Sequence, residues 1–283
     1  MTGAEGIPAG FESLREGDAT LVLRSDAAAA LRAAGVADPE GAAAAAGPAA
    51  RTFEGRGRPV SFPVPGLDLR VVARRYLRGG LLKGLAGGLF PGAGRFLREL
   101  SAADALRRAG APVPEPLGLV VHAAGAGAAR GWFLSREAEG AEDLRSLLLR
   151  LPPGDRRRRE ALRAAGRAVR ALHDAGGLHA DLHVKNLLVL PDGSVLVADL
   201  DGARVHSGGL DRGHRGRQIL RLDRSLVKLA FRTGAAVPAS DRRRLVRAYL
   251  GGERLPREES LRWRRRQKAE LARHRLGWKL GAG

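Results

Sequence analysis

Hydrophobic positions follow two rhythms along this chain, and the change from one to the other divides it. From Arg51 a turn at Gly55-Arg56-Gly57-Arg58-Pro59 leads into the strand-like run Val60 to Val64, and Leu67 to Tyr76 alternates in part as a second strand. Gly79-Gly80 interrupts this texture. Phe96, Leu97, Leu100 and Leu106 then supply apolar positions of a helix between Gly94 and Gly110, where glycine is a natural stop. Pro112, Pro114 and Pro116 punctuate a loop, after which Leu117 to Val121 and Trp132 to Ser135 suit two more strands. Beyond Glu137 the period is mostly helical. Glu142 to Leu151 reads as a helix, and a second starts near Pro153 and carries Leu162, Val169 and Leu172 at helical spacing. Leu187 to Leu190 and Val195 to Ala198 read as a hairpin across Pro191-Asp192-Gly193-Ser194, followed by helices over Arg217 to Phe231 and Asp241 to Leu250. The pattern predicts an α+β chain: an Ala-rich extension (1–50, a short helix around Asp26 to Ala34 and then a loose linker), a β-rich N-lobe (51–137), a mainly helical C-lobe (138–250) and a basic tail (251–283).

At 283 residues with 44% hydrophobic positions, the chain can bury one large core or two modest ones. No run approaches the roughly 18 to 20 apolar residues of a membrane span, and the N-terminus has no basic segment followed by an apolar one, so the expected location is cytoplasmic. The absence of cysteine excludes disulfides, thiolate metal sites and cysteine nucleophiles together. Any metal must therefore sit on oxygen or imidazole ligands. A formal charge of +19 suggests an anionic partner, but only five of the 49 basic residues are lysine, and Ala and Gly are abundant, as GC-rich coding alone produces. Charge does not choose the partner.

The chemistry concentrates in His179-Ala180-Asp181-Leu182-His183-Val184-Lys185-Asn186, followed by a hairpin and Asp199-Leu200-Asp201. Phosphoryl transfer from ATP needs a carboxylate that orients the acceptor hydroxyl and takes its proton, and two oxygen ligands that hold Mg²⁺ (or Mn²⁺) on the phosphates. Asp181 fits the first role; Asn186 and Asp199 fit the second. His179 reads as a residue that hydrogen-bonds within the loop, while His183, Lys185 and Asp201 are possible contacts to substrate or phosphate. A kinase also needs a strand cation paired with a helix carboxylate and a glycine turn over the phosphates. Arg74 on Val72-Ala73-Arg74 and Glu99 supply the pair, with arginine where lysine is usual and Arg75, Arg78 and Lys83 as competitors; Gly55 and Gly57 supply the turn, or an ordinary hairpin. These features predict a protein-kinase-like fold of two lobes.

Arg74-Arg75-Tyr76-Leu77-Arg78-Gly79-Gly80-Leu81, the Arg98-Glu99-Leu100 helix leading to Gly110 through Pro116, His179-Ala180-Asp181-Leu182, Asp199-Leu200-Asp201 and Arg224 through Leu229 together resemble the lipopolysaccharide kinase family over roughly Gly55 to Leu250. The resemblance is closest to the kinases of Kdo (3-deoxy-D-manno-octulosonic acid). It implies an enzyme that phosphorylates a Kdo or heptose hydroxyl of lipopolysaccharide inner core, on a lipid-linked acceptor of the Kdo-lipid A type. It also implies peripheral contact with the anionic inner membrane and no nucleic-acid partner; oligomeric state is not legible.

His-Ala-Asp-Leu-His is also partly similar to the aminoglycoside and choline phosphotransferases, and Glu137, Glu139, Glu142 and Asp143 offer acids for a cationic acceptor. A protein kinase is disfavoured by the lack of Ala-Pro-Glu after Asp199, and a quinone-pathway kinase by the lack of Lys-x-Gly-Gln. From another class stands a pseudokinase that binds without turnover. The arginines of the Arg254 to Lys279 tail, with Trp263 and Trp278, suit either a membrane surface or a solvated helix.

Overall fold

The structure, a computed structural model, describes residues 6–54, 57–77, 88–251 and 265. Gly55, Arg78 through Leu81, Lys83 and, apart from Arg265, the tail from Arg254 lie outside the described residues. The chain divides into two compact units, one of 1–109, 113–139 and 200–203, the other of 110–112, 140–199 and 204–283.

In the first unit, β1 (Phe11–Glu16), β2 (Ala19–Arg24), β3 (Arg51–Thr52), β4 (Val60–Pro63), β5 (Arg70–Arg75), β6 (Phe90–Pro91), β7 (Pro116–Ala123) and β8 (Ala128–Arg136) form one sheet. Its order is β1-β2-β7-β8-β5-β4-β3, with β6 also paired to β8, and every described pairing is antiparallel. Three helices accompany it: α1 (Ala28–Ala33), α2 (Pro39–Ala46) and α3 (Gly94–Arg108). Leu31, Val36 and Ala43 join Leu21, Leu23, Phe62, Val71, Val120 and Leu134 in one core. Helix α3 instead brings Phe96 to Tyr76 and Phe90, with ring centroids 4.3 and 5.4 Å away. Gly131 on β8 permits that approach, because a Cβ there would lie 2.8 Å from the Phe96 ring.

In the first fifty residues the expected short helix is present as α1, but a β-hairpin precedes it and a second helix stands where a loose linker is expected. Gly17-Asp18 is a two-residue hairpin turn with Gly17 at φ 59°, joining β1 to β2 in the register Glu16↔Ala19. The Ala-rich run is helix α2, started by Asp38, whose carboxylate accepts from the Gly41 N–H at 3.1 Å, and by Pro39 in its first turn. Alanine is the best helix former, so an Ala-rich run favours a helix over a linker here.

The second unit contains α4 (Leu144–Arg150), α5 (Arg156–Asp174), α6 (Arg212–Thr233) and α7 (Ala239–Tyr249). Its short strands are β9 (Glu142–Asp143), β10 (Gly177–Leu178), β11 (Leu187–Val189), β12 (Val195–Val197) and β13 (Arg204–Val205), paired as β12-β11-β9 and β10-β13. Glu142 and Asp143 are thus strand residues where a helix was predicted. Asp143 caps α4 by accepting from the Ser146 N–H at 3.0 Å. Helix α6 starts at Arg212, before the predicted Arg217, because Asp211 caps it through the Gly213 and His214 N–H groups at 2.8 and 3.0 Å. The core of this unit is formed by Leu144, Leu147, Leu162, Val169, Leu172, Leu187, Val197, Leu222 and Leu245. Arg158, 1% exposed, donates to Asp241 from Nε (2.9 Å) and Nη2 (2.7 Å), and to the Leu148, Leu151 and Ala236 carbonyls.

Candidate active site

The segment from His179 to Asn186 is held by its own side chains and by one helix. His179 is buried; its Nδ1 accepts from the Asp181 N–H at 3.0 Å and its Nε2–H donates to the Ala198 carbonyl at 3.0 Å. Both ring nitrogens are thereby committed and the ring is neutral, as the burial that pushes its pKa below the usual histidine range also requires. This is the loop-bracing role expected for His179. Three successive inward positions of α6 complete the clamp. Gln218 Nε2 donates to the His179 carbonyl at 2.9 Å, Arg221 donates to the Ala180 carbonyl, and the Val184 N–H donates to Ser225 Oγ at 3.2 Å. Their i, i+3, i+7 spacing puts all three on one helix face. Sequence reasoning missed this clamp, although a glutamine and a serine on the inward stripe of an otherwise apolar face were a signal.

Asp181 is the opposite of its braced backbone. Its side chain is 73% exposed, with His183 Nε2 3.6 Å and Arg221 Nη1 3.7 Å from its oxygens, beyond direct hydrogen bonds. His183 Nδ1 accepts from the Lys185 N–H at 3.2 Å and so caps the single 3-10 turn Val184–Asn186. Asn186 is buried and donates from Nδ2 to the Asp181 carbonyl at 3.0 Å, which leaves its amide oxygen as the ligand end. The β11–β12 hairpin pairs Leu187 with Val197, and the Ala198 N–H bonds to the Asn186 carbonyl at 2.8 Å. Asp199 therefore follows directly on the residue opposite Asn186. It has φ 61°, a left-handed conformation that an aspartate adopts at a cost of the order of 1 kcal/mol or more. An amide oxygen and a carboxylate are hard donors, and two protein ligands are what Mg²⁺ takes when phosphates and water complete its shell. Among the described residues no group of three or more His, Cys, Asp or Glu forms an all-protein metal cage. The residues fit a magnesium ion shared with a nucleotide.

A cavity of about 580 Å³ opens beside Asp181. His183, Lys185, Arg145 and Ser225 line it, with Arg221, Arg224, Lys228 and Arg232 along α6. Asp181 is the one carboxylate among these lining residues.

In the first unit, Arg74 near the end of β5 donates from Nη2 to Glu99 Oε1 at 2.5 Å. Glu99 is buried on α3, and the Arg74 guanidinium lies 5.1 Å from the Tyr76 ring centroid. Burial, and secondarily the Glu99 charge, push the Tyr76 hydroxyl well above its usual pKa, so Tyr76 stays protonated. Of the competitors for the strand cation, Arg75 reaches Glu40 instead, at 3.4 Å. Gly57, at φ 82°, comes so near β5 that a Cβ would lie 3.1 Å from the Arg75 carbonyl. Asp201 is gripped by Arg95 through both oxygens, at 2.7 and 2.8 Å, and that hydrogen bonding raises the Arg95 pKa. Three of the four acids that suggested a cationic acceptor, Glu137, Glu142 and Asp143, are otherwise employed. Glu137 accepts from Ser61, Arg70 and Arg51, bonds that more than offset the upward push of burial and hold its pKa below the usual range. Glu142 pairs with Arg150, and Asp143 caps α4.

The model of the lipopolysaccharide kinase (Kdo/WaaP) family matches residues 51–249. The chain belongs to that family. Its activity is accordingly ATP-dependent phosphorylation of a sugar hydroxyl in lipopolysaccharide core biosynthesis. A 3-deoxy-D-manno-octulosonic acid kinase of Actinobacillus succinogenes is 30% identical over 208 residues, covering 70% of this chain and 83% of its own. One of Vibrio cholerae is 33% identical over 165 residues, covering 57% and 67%. The solved structure of WaaP in complex with acyl carrier protein superposes with a TM-score of 0.55 at 19% identity, over 86% of this chain and 94% of that one. The lipopolysaccharide kinase shares that fold, which is the protein-kinase-like α+β class predicted from sequence.

Proposed function

We propose that this lipopolysaccharide kinase phosphorylates a hydroxyl of Kdo on a lipid-linked acceptor, at the cytoplasmic face of the inner membrane, with Asp181 as the catalytic carboxylate. The observation that carries the reading is the exposed Asp181 at the edge of a cavity that it shares with six Arg and Lys side chains and no other carboxylate. Such walls attract an acidic sugar and repel an aminoglycoside or choline. The naming of the relatives as Kdo kinases points to the same acid. Among the described residues no helix is long and apolar enough to cross a membrane, so the membrane would be met at its surface.

In this reading Asp181 accepts a hydrogen bond from the acceptor hydroxyl, orients its oxygen toward the γ-phosphorus and takes the proton as the new O–P bond forms, while the bond from the γ-phosphorus to the β,γ-bridging oxygen breaks and ADP leaves with that electron pair. Its backbone is fixed by His179, so the carboxylate is positioned without being consumed by a partner. Asn186 through its amide oxygen and Asp199 through its carboxylate would hold Mg²⁺ or Mn²⁺, which when bound neutralises charge on the nucleotide phosphates. Arg74, braced by Glu99, is the cation for ATP phosphates, and its fork suits phosphate oxygens as lysine's point charge does elsewhere. Gly57, with Gly55 outside the described residues, supplies the nucleotide turn. Lys185 and His183 face the transferred charge, and Asp201 acts through Arg95 as a positioning residue.

Incubation with ATP and Kdo-lipid A tests the reading by mass spectrometry. One phosphate gained on the Kdo residue is expected. No product from a folded, ATP-binding protein that turns over a neutral or cationic acceptor would contradict it.

A further inference from the structure

Helix α6 does two things with adjacent stripes. Gln218, Arg221 and Ser225 grip the backbone of the loop that carries Asp181, while Arg221, Arg224, Lys228 and Arg232 line the cavity. The cationic stripe begins beside Asp181, where Arg221 Nη1 is 3.7 Å from the carboxylate, and runs away from it. At a rise of about 1.5 Å per residue, Lys228 and Arg232 lie roughly 10 and 16 Å along the axis from Arg221. Asp223 of the same helix is buried and accepts from Nε and Nη2 of Arg242 at 2.7 and 2.6 Å.

A monosaccharide with one carboxylate cannot span that distance while its hydroxyl sits at Asp181. We propose that the α6 stripe is a specificity site for a second anionic group of the acceptor, a phosphate or carboxylate roughly 10 to 16 Å from the reacting hydroxyl. Arg224, Lys228 and Arg232 read that group, and Arg221 couples the helix to the catalytic loop. The enzyme thus recognises its acceptor by the spacing of two anions rather than by the reacting sugar alone. This inference rests on the proposed Kdo acceptor. Guanidinium and ammonium groups suit it because charge-assisted bonds to phosphate or carboxylate are the strong ones, and an acceptor that lacks the second anion leaves the stripe unsatisfied.

The test compares four acceptors with ATP and the full chain: free Kdo, a Kdo disaccharide, Kdo on dephosphorylated lipid A, and Kdo on phosphorylated lipid A. The wild type should show kcat/KM at least about tenfold higher for one of the doubly anionic acceptors than for free Kdo and for the dephosphorylated form, mainly through KM. A preference for the disaccharide assigns the second anion to a neighbouring acidic sugar; a preference for phosphorylated lipid A assigns it to the lipid phosphate. The triple variant Arg224→Gln, Lys228→Gln, Arg232→Gln should erase the preference, bringing kcat/KM on the doubly anionic acceptor down to that on free Kdo. Equal kcat/KM on all four acceptors by the wild type overturns the inference while leaving Kdo phosphorylation intact, and this arm needs no variant to fold. Loss of activity on all four alike in a folded triple variant also overturns it. Phosphorylation of none of them removes the underlying reading as well.

Discussion

The helical unit holds two aspartates beside arginines and treats them in opposite ways. Asp241 is 1% exposed and takes hydrogen bonds from Arg158, whose other donors are spent on three carbonyls, and from Arg244 at 2.9 Å. Asp181 is 73% exposed, and His183 Nε2 and Arg221 Nη1 stand 3.6 and 3.7 Å off. The first arrangement satisfies every buried charge and fixes where α5 and α7 meet. The second fixes only the backbone, through His179 and α6, and leaves the carboxylate to meet a substrate. A carboxylate surrounded by saturated donors does structural work; one carried on a braced loop with its oxygens in solvent is available for chemistry.

Removing Arg158 breaks the buried side of this contrast most severely. Arg158→Ala should cost about 3 to 5 kcal/mol in urea unfolding, because Asp241 is left buried without its main partner. A loss under about 1 kcal/mol would mean that Arg244 and water suffice.

A smaller effect comes from pH. Burial pushes His173 from 6.5 down to about 3, and its Nδ1 lies 2.8 Å from the Tyr249 hydroxyl. A histidine whose folded pKa is depressed lends stability fully above its unfolded pKa and loses it as pH falls toward the folded value, because the unfolded chain takes the proton first. The window runs from about pH 6.5 down to about 3. About 2 kcal/mol should be gone at pH 5, with His179 acting in the same direction. His173→Asn should flatten the dependence of unfolding free energy between pH 7 and 5; an unchanged slope would remove His173 as its source.

Much of the loop region was legible because local chemistry and local pattern agree there. The spacing from Asp181 to Asn186 and the hairpin to Asp199 lie within one short stretch, so sequence distance and spatial distance coincide. The Arg74–Glu99 pair was legible for a different reason: a strand cation and a helix carboxylate have few alternative partners in a sheet-and-helix unit. What stayed hidden depends on long-range pairing. Residues 19–24 join a sheet through 118–122, about a hundred positions away, and nothing local in Ala19 to Arg24 declares that neighbour. The α6 clamp was hidden likewise, since Gln218 and Ser225 acquire meaning only against carbonyl and N–H groups some forty residues earlier. Glu137 and Glu142 point away from their role because composition shows charge but not which arginine has claimed it.

Asp181→Asn tests the central claim most directly, measured as phosphate transfer to Kdo-lipid A alongside thermal unfolding. The exposed, unsaturated carboxylate predicts a fall in kcat of about 10²- to 10⁴-fold with Tm within about 3 °C of the wild type. Activity retained within tenfold in an equally stable variant would contradict the assignment of Asp181 as the catalytic carboxylate.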